Sequence, residues 1–248
     1  MKVSPIRTEK IRPYTIGLFQ ILDKYVKKMP EGSVLALTSV MVSICEGRVI
    51  KIGEVDKDDL IKGEADLYLP RKISRYNLMF TITRGILIPS AGIDESNTGG
   101  YYALFPKDPQ KTANAVRRYL ASRFKLKKVG VIITDSKTSP LRWGTNGVAL
   151  THSGFSGLNS YIGKPDIFGR NLKMTKANIM DALAASAVVT MGEGDEQTPL
   201  AIIEDVPFIK FQGRDPSARE IRELAISIED DLYSPLLKAV KWRKGKKK

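Results

Sequence analysis

Three short segments of this sequence concentrate the oxygen ligands and glycines that a metal–phosphate site needs. They are Gly92-Ile93-Asp94-Glu95-Ser96-Asn97, Asp135-Ser136, and Met191-Gly192-Glu193-Gly194-Asp195-Glu196. Hard cations such as Mg²⁺ and Mn²⁺ take oxygen from one or two carboxylates and complete their shells with water and phosphate oxygens. Asp94, Asp135 and Glu193 are the candidate carboxylates. Gly92, and the glycines flanking Glu193, let backbone approach a bulky ligand closely. Each segment also has a plain structural meaning. Asp135 can be a solvated strand end, Asp94 a turn residue capping Ser96 or Asn97, and Gly192-Glu193-Gly194 a helix C-cap.

Candidate anion-binding groups lie in two other glycine-containing stretches, Arg142 in residues 141–144 and Lys164 and Arg170 in residues 162–170. The guanidinium fork suits bidentate carboxylate or phosphate recognition, so Arg142 and Arg170 are the candidate catalytic residues; a surface arginine over Trp143 or Phe168 is the alternative. His152 is the single histidine and reads as a hydrogen-bonded packing residue rather than a base. One cysteine, Cys45, excludes an internal disulfide and reads as a small buried hydrophobe. With one histidine and one cysteine, a zinc enzyme or a Cys–His nucleophile pair is not indicated. Neither a P-loop nor a dinucleotide-binding glycine motif is present.

The elements that must position these loops follow from periodicity. A helix is expected from about Thr15 to Lys28, then a strand Val34–Thr38 running through Ser39 towards Ser43. Asp56 should cap a short helix through Asp66, and Arg84-Gly85 should join strands 78–83 and 86–88. Asp108-Pro109 should open a helix ending among Arg123, Lys125 and Lys127. Residues 129–134 form a β-branched run, expected as a strand buried on both faces. The alanine-rich stretch 175–191 should be a helix inside the core, and 198–206 another buried strand. Ser217 and Glu220, in capping-box spacing, should open a last helix continuing towards Val240. Strands and helices mix irregularly, giving an α/β or α+β class without a plain Rossmann order.

Hydrophobic residues are 42% of the 248 and charged residues 27%, enough apolar material for a buried core. No run reaches the roughly 18 apolar residues of a membrane helix. The N-terminus leads into charged sequence, so a cytoplasmic protein is expected. The formal charge is +13, and six cations fall in the last eight residues, Lys241 to Lys248. A main domain over 1–240 and a basic flexible tail over 241–248 are therefore expected. That balance fits polyanionic small-molecule ligands, and it also keeps a nucleic-acid-binding protein open.

At the three acidic loops the sequence resembles the coenzyme F420-0:L-glutamate ligase family, and within it the folate-metabolism γ-glutamate ligase branch. The resemblance is carried by residues 43–48, 91–97, 129–136, Arg142 with Gly144 and Gly147, 161–170 and 191–194, and spans roughly residues 3–210. It implies a mixed-sheet fold in an intertwined homodimer. It also implies GTP-driven joining of L-glutamate to a small-molecule carboxylate acceptor, F420-0-like or folate-like, with Mg²⁺ or Mn²⁺ and an acyl phosphate intermediate. By motif position the implied metal ligands are Asp94, Asp135, Ser136 and Glu193. The implied nucleotide contacts are Ser39, Asn97 and the segment Met191, Gly192, Gly194, Asp195, Glu196, Gln197 and Thr198. Family members carry a nucleotide-contacting lysine at or close to positions held here by Val40 and Ile44, and a more glycine-rich stretch at 195–197. A nucleotide-binding protein without ligase activity is the reading those departures leave open.

Overall fold

The β-branched run at 129–134 lies inside a five-stranded sheet of the computed structural model, which describes residues 1–246. The strand order across that sheet is Lys2–Ile6, Leu200–Glu204, Ser33–Thr38, Val129–Thr138, Thr145–Ser153. Ser33–Thr38 and Val129–Thr138 run parallel, and the other neighbours are antiparallel. A parallel pair covered on both faces explains why neither strand alternates polar with apolar residues. On one face Ile21, Leu22, Met41 and Leu120, from helices Leu18–Tyr25, Ser39–Cys45 and Pro109–Phe124, pack on Leu37 and Ile133. On the other, Ala184 and Ala187 of helix Ile179–Met191 pack on Ala36, Ile132 and Ala149.

A second layer of structure hangs on the crossover between the parallel strands. Strands Phe80–Thr83 and Ile86–Pro89 form the expected hairpin within a four-stranded sheet whose other members are Leu67–Tyr68 and Arg243–Lys244. Helix Lys57–Glu64, capped by Asp56 accepting from the Asp59 amide, packs Ile61 against Met79, Ile93 and Leu104. The class is mixed α/β, as expected. Among the described residues no helix is long and apolar enough to cross a membrane.

Four expectations are corrected. Residues 39–45 are helical, not a continuation of the strand, because the Thr38 hydroxyl caps the Met41 amide and Met41, Val42 and Ile44 then bury together. The alanine-rich helix begins at Ile179, after strand Lys176–Asn178, with Asn178 capping it. It covers one sheet face with no layer outside it, so Val189 is 79% exposed. The capping box of Ser217 and Glu220 forms, but the helix it opens stops at Arg222, and a separate helix occupies Ser234–Lys238. Finally, residues 243–246 are not a free end. Arg243–Lys244 pair with Leu67–Tyr68, and the amides of Gly245 and Lys246 donate to Asp66 and Lys62 carbonyls, which covers an otherwise open sheet edge. Lys247 and Lys248 lie outside the described residues.

Candidate active site

The strand Val129–Thr138 shifts register against its neighbour between Ile133 and Thr134. Such an irregularity re-aims the side chains that follow it, and the residues that follow are Thr134, Asp135 and Ser136. They open onto a cleft of about 1410 Å³, larger than the roughly 300–1,000 Å³ of single small-ligand pockets. The space suits more than one substrate at once.

Asp94 reaches the same cleft from a tightly wound turn. Ser90, Ala91 and Gly92 all have positive φ, 54°, 57° and 71°. At Gly92 any Cβ would come within 2.1 Å of the Phe105 ring, so glycine is required there. The turn is held by the Ala91 amide donating to the Thr81 hydroxyl and by backbone pairing of Asp94 with Ala103. Asp94 does cap Ser96: Oδ1 accepts from the Ser96 amide and hydroxyl, both at 2.7 Å. That role uses one oxygen, and Oδ2 has no hydrogen-bond partner among the described residues.

The third loop follows the C-terminus of helix Ile179–Met191. Gly192, at φ 79°, is both its C-cap and the start of the bend that turns Glu193 into the cleft. Glu193 Oε1 accepts from the Ser136 hydroxyl at 2.7 Å and from the Thr145 hydroxyl at 3.2 Å. The Gly194 amide donates to Glu196 Oε2 at 2.8 Å. The Gly194 carbonyl accepts from the Asn97 side-chain amide at 2.9 Å, which ties this third loop to the one that carries Asp94. The Thr198 hydroxyl donates to the Met191 carbonyl and closes the bend.

Electrostatics single out Asp135. Burial, first, pushes its carboxyl up to about 7, and the negative charges of Asp94 and Glu193 push the same way. The Ser136 amide, at 2.9 Å, and the Ser39 hydroxyl pull it back down. Two like charges acting on a buried carboxyl leave negative charge that a cation would relieve. The donors are carboxylates and hydroxyls, the hard set that Mg²⁺ and Mn²⁺ take. Among the described residues no three acidic, histidine or cysteine side chains close into a metal cage. Mg²⁺ sites that share their ion with substrate phosphates use one or two carboxylates and need no such cage. The residues therefore fit a cation that arrives with a polyphosphate.

Every residue expected to hold metal or nucleotide lines this cleft: Ser39, Asp94, Asn97, Asp135, Ser136, Met191, Gly192, Glu193, Gly194, Asp195, Glu196, Gln197 and Thr198. Val40 and Ile44 line it too, as an apolar wall on the helix that begins at Ser39. Arg142 and Arg170 do not. They sit in exposed hairpin connections, residues 139–144 and 161–175, beyond the ends of the strands they join. The cations that do line the cleft are Lys10, Arg12, Lys57 and Lys137, which sequence reasoning passed over. For Lys137 the available signal was its two-residue spacing from Asp135.

His152 is buried, its ring centroid 5.1 Å from that of Phe155, and burial holds its pKa down at about 4. It packs as expected, although its Nδ1 has no hydrogen-bond partner among the described residues. Burial, then Glu46, pushes the Cys45 thiol up to about 12, so it stays protonated and inert as a nucleophile.

A sequence profile described as F420-0:Gamma-glutamyl ligase matches residues 5–205. The coenzyme F420:L-glutamate ligase of Methanopyrus kandleri is 34% identical to this chain over 252 aligned positions, covering 94% of this chain and 97% of that one. The proteins of the same name from Methanococcus maripaludis strain C7 and Methanocaldococcus jannaschii are 44% and 32% identical, over 78% and 81% of this chain and 82% and 86% of theirs. With the profile spanning most of its length, and the three acidic loops converging on one cleft, the chain belongs to the F420-0:γ-glutamyl ligase family.

Proposed function

We propose that this protein is a ligase that uses a nucleoside triphosphate, GTP by family resemblance, to join L-glutamate to a carboxylate acceptor of F420-0-like or folate-like chemistry. The observation that carries this reading is the delivery of Asp94, Asp135 and Glu193, from three segments distant in sequence, into one cleft large enough for nucleotide and acceptor together. Asp94, Asp135, Glu193 and the Ser136 hydroxyl would hold Mg²⁺ or Mn²⁺. When bound, such an ion neutralises phosphate oxygens and so favours phosphoryl transfer.

The chain's own task is positioning. Asn97 and the segment 191–198 present amide and carbonyl groups to the nucleotide, and the apolar side chains of Val40 and Ile44 offer a surface for a flat ring. An acceptor carboxylate oxygen attacks the terminal phosphorus, and the nucleoside diphosphate leaves with the bridging oxygen. The glutamate amine then attacks the acyl carbon, loses a proton and displaces inorganic phosphate, leaving a new amide.

Assembly as a homodimer belongs to the same reading. Leu141, Trp143, Ile167 and Phe168 are each at least 88% exposed on the two hairpin connections that carry Arg142 and Arg170. Apolar side chains concentrated in this way mark an interaction surface. Those arginines would meet a cleft only when a second copy covers that surface.

Incubation with GTP or ATP, Mg²⁺ or Mn²⁺, glutamate and a panel of acceptors tests the reading. The expected result is a mass gain of one glutamyl unit coupled to phosphate release. The apolar wall of Val40 and Ile44 favours one competing reading, a nucleotide-binding protein without ligase activity. It predicts metal-dependent nucleotide binding with no glutamyl product from any acceptor, and that outcome overturns the ligase assignment.

A further inference from the structure

Lys137 stands two residues beyond Asp135 on the same strand, past the register shift. Successive strand residues alternate faces, so both side chains leave the same face, with Cα atoms about 7 Å apart. Four cations line the cleft, and three are accounted for. Lys10 and Arg12 are exposed and keep their hydration. Lys57 is ion-paired with Glu95 and lies over the Tyr102 ring. Lys137 is half-buried, lines the cleft, and has no ion pair and no side-chain hydrogen bond among the described residues.

A half-buried ammonium without a carboxylate has lost part of its hydration and gained no partner in return. The carboxylates that could neutralise it, Asp94, Asp135 and Glu193, are not within ion-pairing distance. An anion entering from solvent would complete it. On the ligase reading above, the anion brought to that face by Asp94 and Asp135 is the end of a phosphate chain.

We propose that Lys137 binds the terminal phosphate of the nucleoside triphosphate and neutralises it while the phosphoryl group passes to the acceptor. In that step an acceptor carboxylate oxygen bonds to the terminal phosphorus. The bond from phosphorus to the bridging oxygen breaks, and its electron pair leaves on the nucleoside diphosphate. Lys137 keeps its proton throughout and supplies charge only. A diphosphate lacks the group that Lys137 touches, so the residue should discriminate between the two nucleotides.

The test uses full-length Lys137→Met, which keeps the length of the stem, and Lys137→Arg, which keeps the charge; thermal melting checks that both fold. Binding is measured with Mg²⁺ and either the β,γ-imido analogue of GTP or GDP. Lys137→Met should weaken binding of the triphosphate analogue about tenfold and leave GDP within about twofold. Phosphate release should fall about 100-fold, with Lys137→Arg recovering most of it. The proposal is overturned if Lys137→Met keeps the wild-type preference for triphosphate, or weakens both nucleotides equally. The ligase reading fails separately. A wild type that makes no glutamyl product, yet loses its triphosphate preference on Lys137→Met, refutes the ligase assignment and supports the role of Lys137.

Discussion

Ser136 and Glu193 are 57 residues apart in the chain, and the Ser136 hydroxyl donates to Glu193 Oε1 at 2.7 Å. That bond joins the end of a central strand to the loop after a helix on one face of the sheet. It fixes Glu193 on one wall of the cleft while Asp94 approaches from another. Removing either acid should leave the fold intact and the chemistry crippled. Glu193→Gln and Asp94→Asn should each reduce phosphate release by about 100-fold or more, with circular dichroism unchanged. Near-wild-type turnover in both variants would sink the metal-site assignment.

Asp135 is held under strain by its neighbours, since burial and two like charges all disfavour its ionised form. Asp135→Asn keeps the shape and removes the charge. Without added metal at pH 8 the variant should be more stable than wild type by on the order of 1 kcal/mol, and it should have no measurable turnover. Differential scanning calorimetry in chelator reads the first effect. A lower melting temperature for the variant contradicts the electrostatic account.

His152 gives the fold a pH dependence separate from the active site. Its folded pKa is about 4, held down chiefly by burial, against about 6.5 in the unfolded chain. Between those values the unfolded chain binds a proton that the folded chain refuses. The stability linked to His152 is complete above about pH 6.5 and lost as the pH falls towards 4, to a total on the order of 3 kcal/mol. Urea titrations of His152→Leu at pH 7 and pH 4.5 should show a smaller difference than wild type. An unchanged slope would remove His152 from the acid response.

Gly245 sits where a side chain cannot. A Cβ there would lie 1.7 Å from the Ala65 carbonyl oxygen. Gly245→Ala should therefore cost about 1–3 kcal/mol of stability. Truncation after Val240 should expose the backbone of Leu67–Tyr68 and speed hydrogen exchange in that strand. Metal–nucleotide binding should change little in either case. If truncation instead abolishes salt-dependent nucleic-acid binding, the basic end has a role outside the ligase chemistry.

What could be read from the chain was local. Asp56, Asp108 and Ser217 each accept from a backbone amide three residues on, as their spacing predicts. The hairpin about Arg84-Gly85 and the doubly buried strand from Val129 likewise follow from residue type alone. Residues 39–45 misled because their β-branched content suits a strand, whereas the Thr38 cap and a buried face decide for helix. The short pairing of Arg243–Lys244 has no hydrophobic signature at all, since its stabilisation is backbone hydrogen bonding to an edge. At the site, the acidic loops were legible as motifs. Arg142 and Arg170 looked equally suitable, because glycine-flanked arginine carries no information about which way a hairpin connection points. Lys137 was passed over for the complementary reason: it follows the run that marks the strand, and its two-residue spacing from Asp135 is a signal only once the strand is known to continue past the register shift.

The placement of Leu200–Glu204 between Lys2–Ile6 and Ser33–Thr38 sets a timetable for biosynthesis. On the ribosome the two N-terminal strands emerge early but have no shared neighbour to pair with until about residue 204 has left the exit tunnel. At roughly 5–20 residues per second, the nascent chain spends about ten seconds or more with those strand edges open. The N-terminal segment of a stalled or truncated chain would then be a natural client for chaperones that shield unpaired edges.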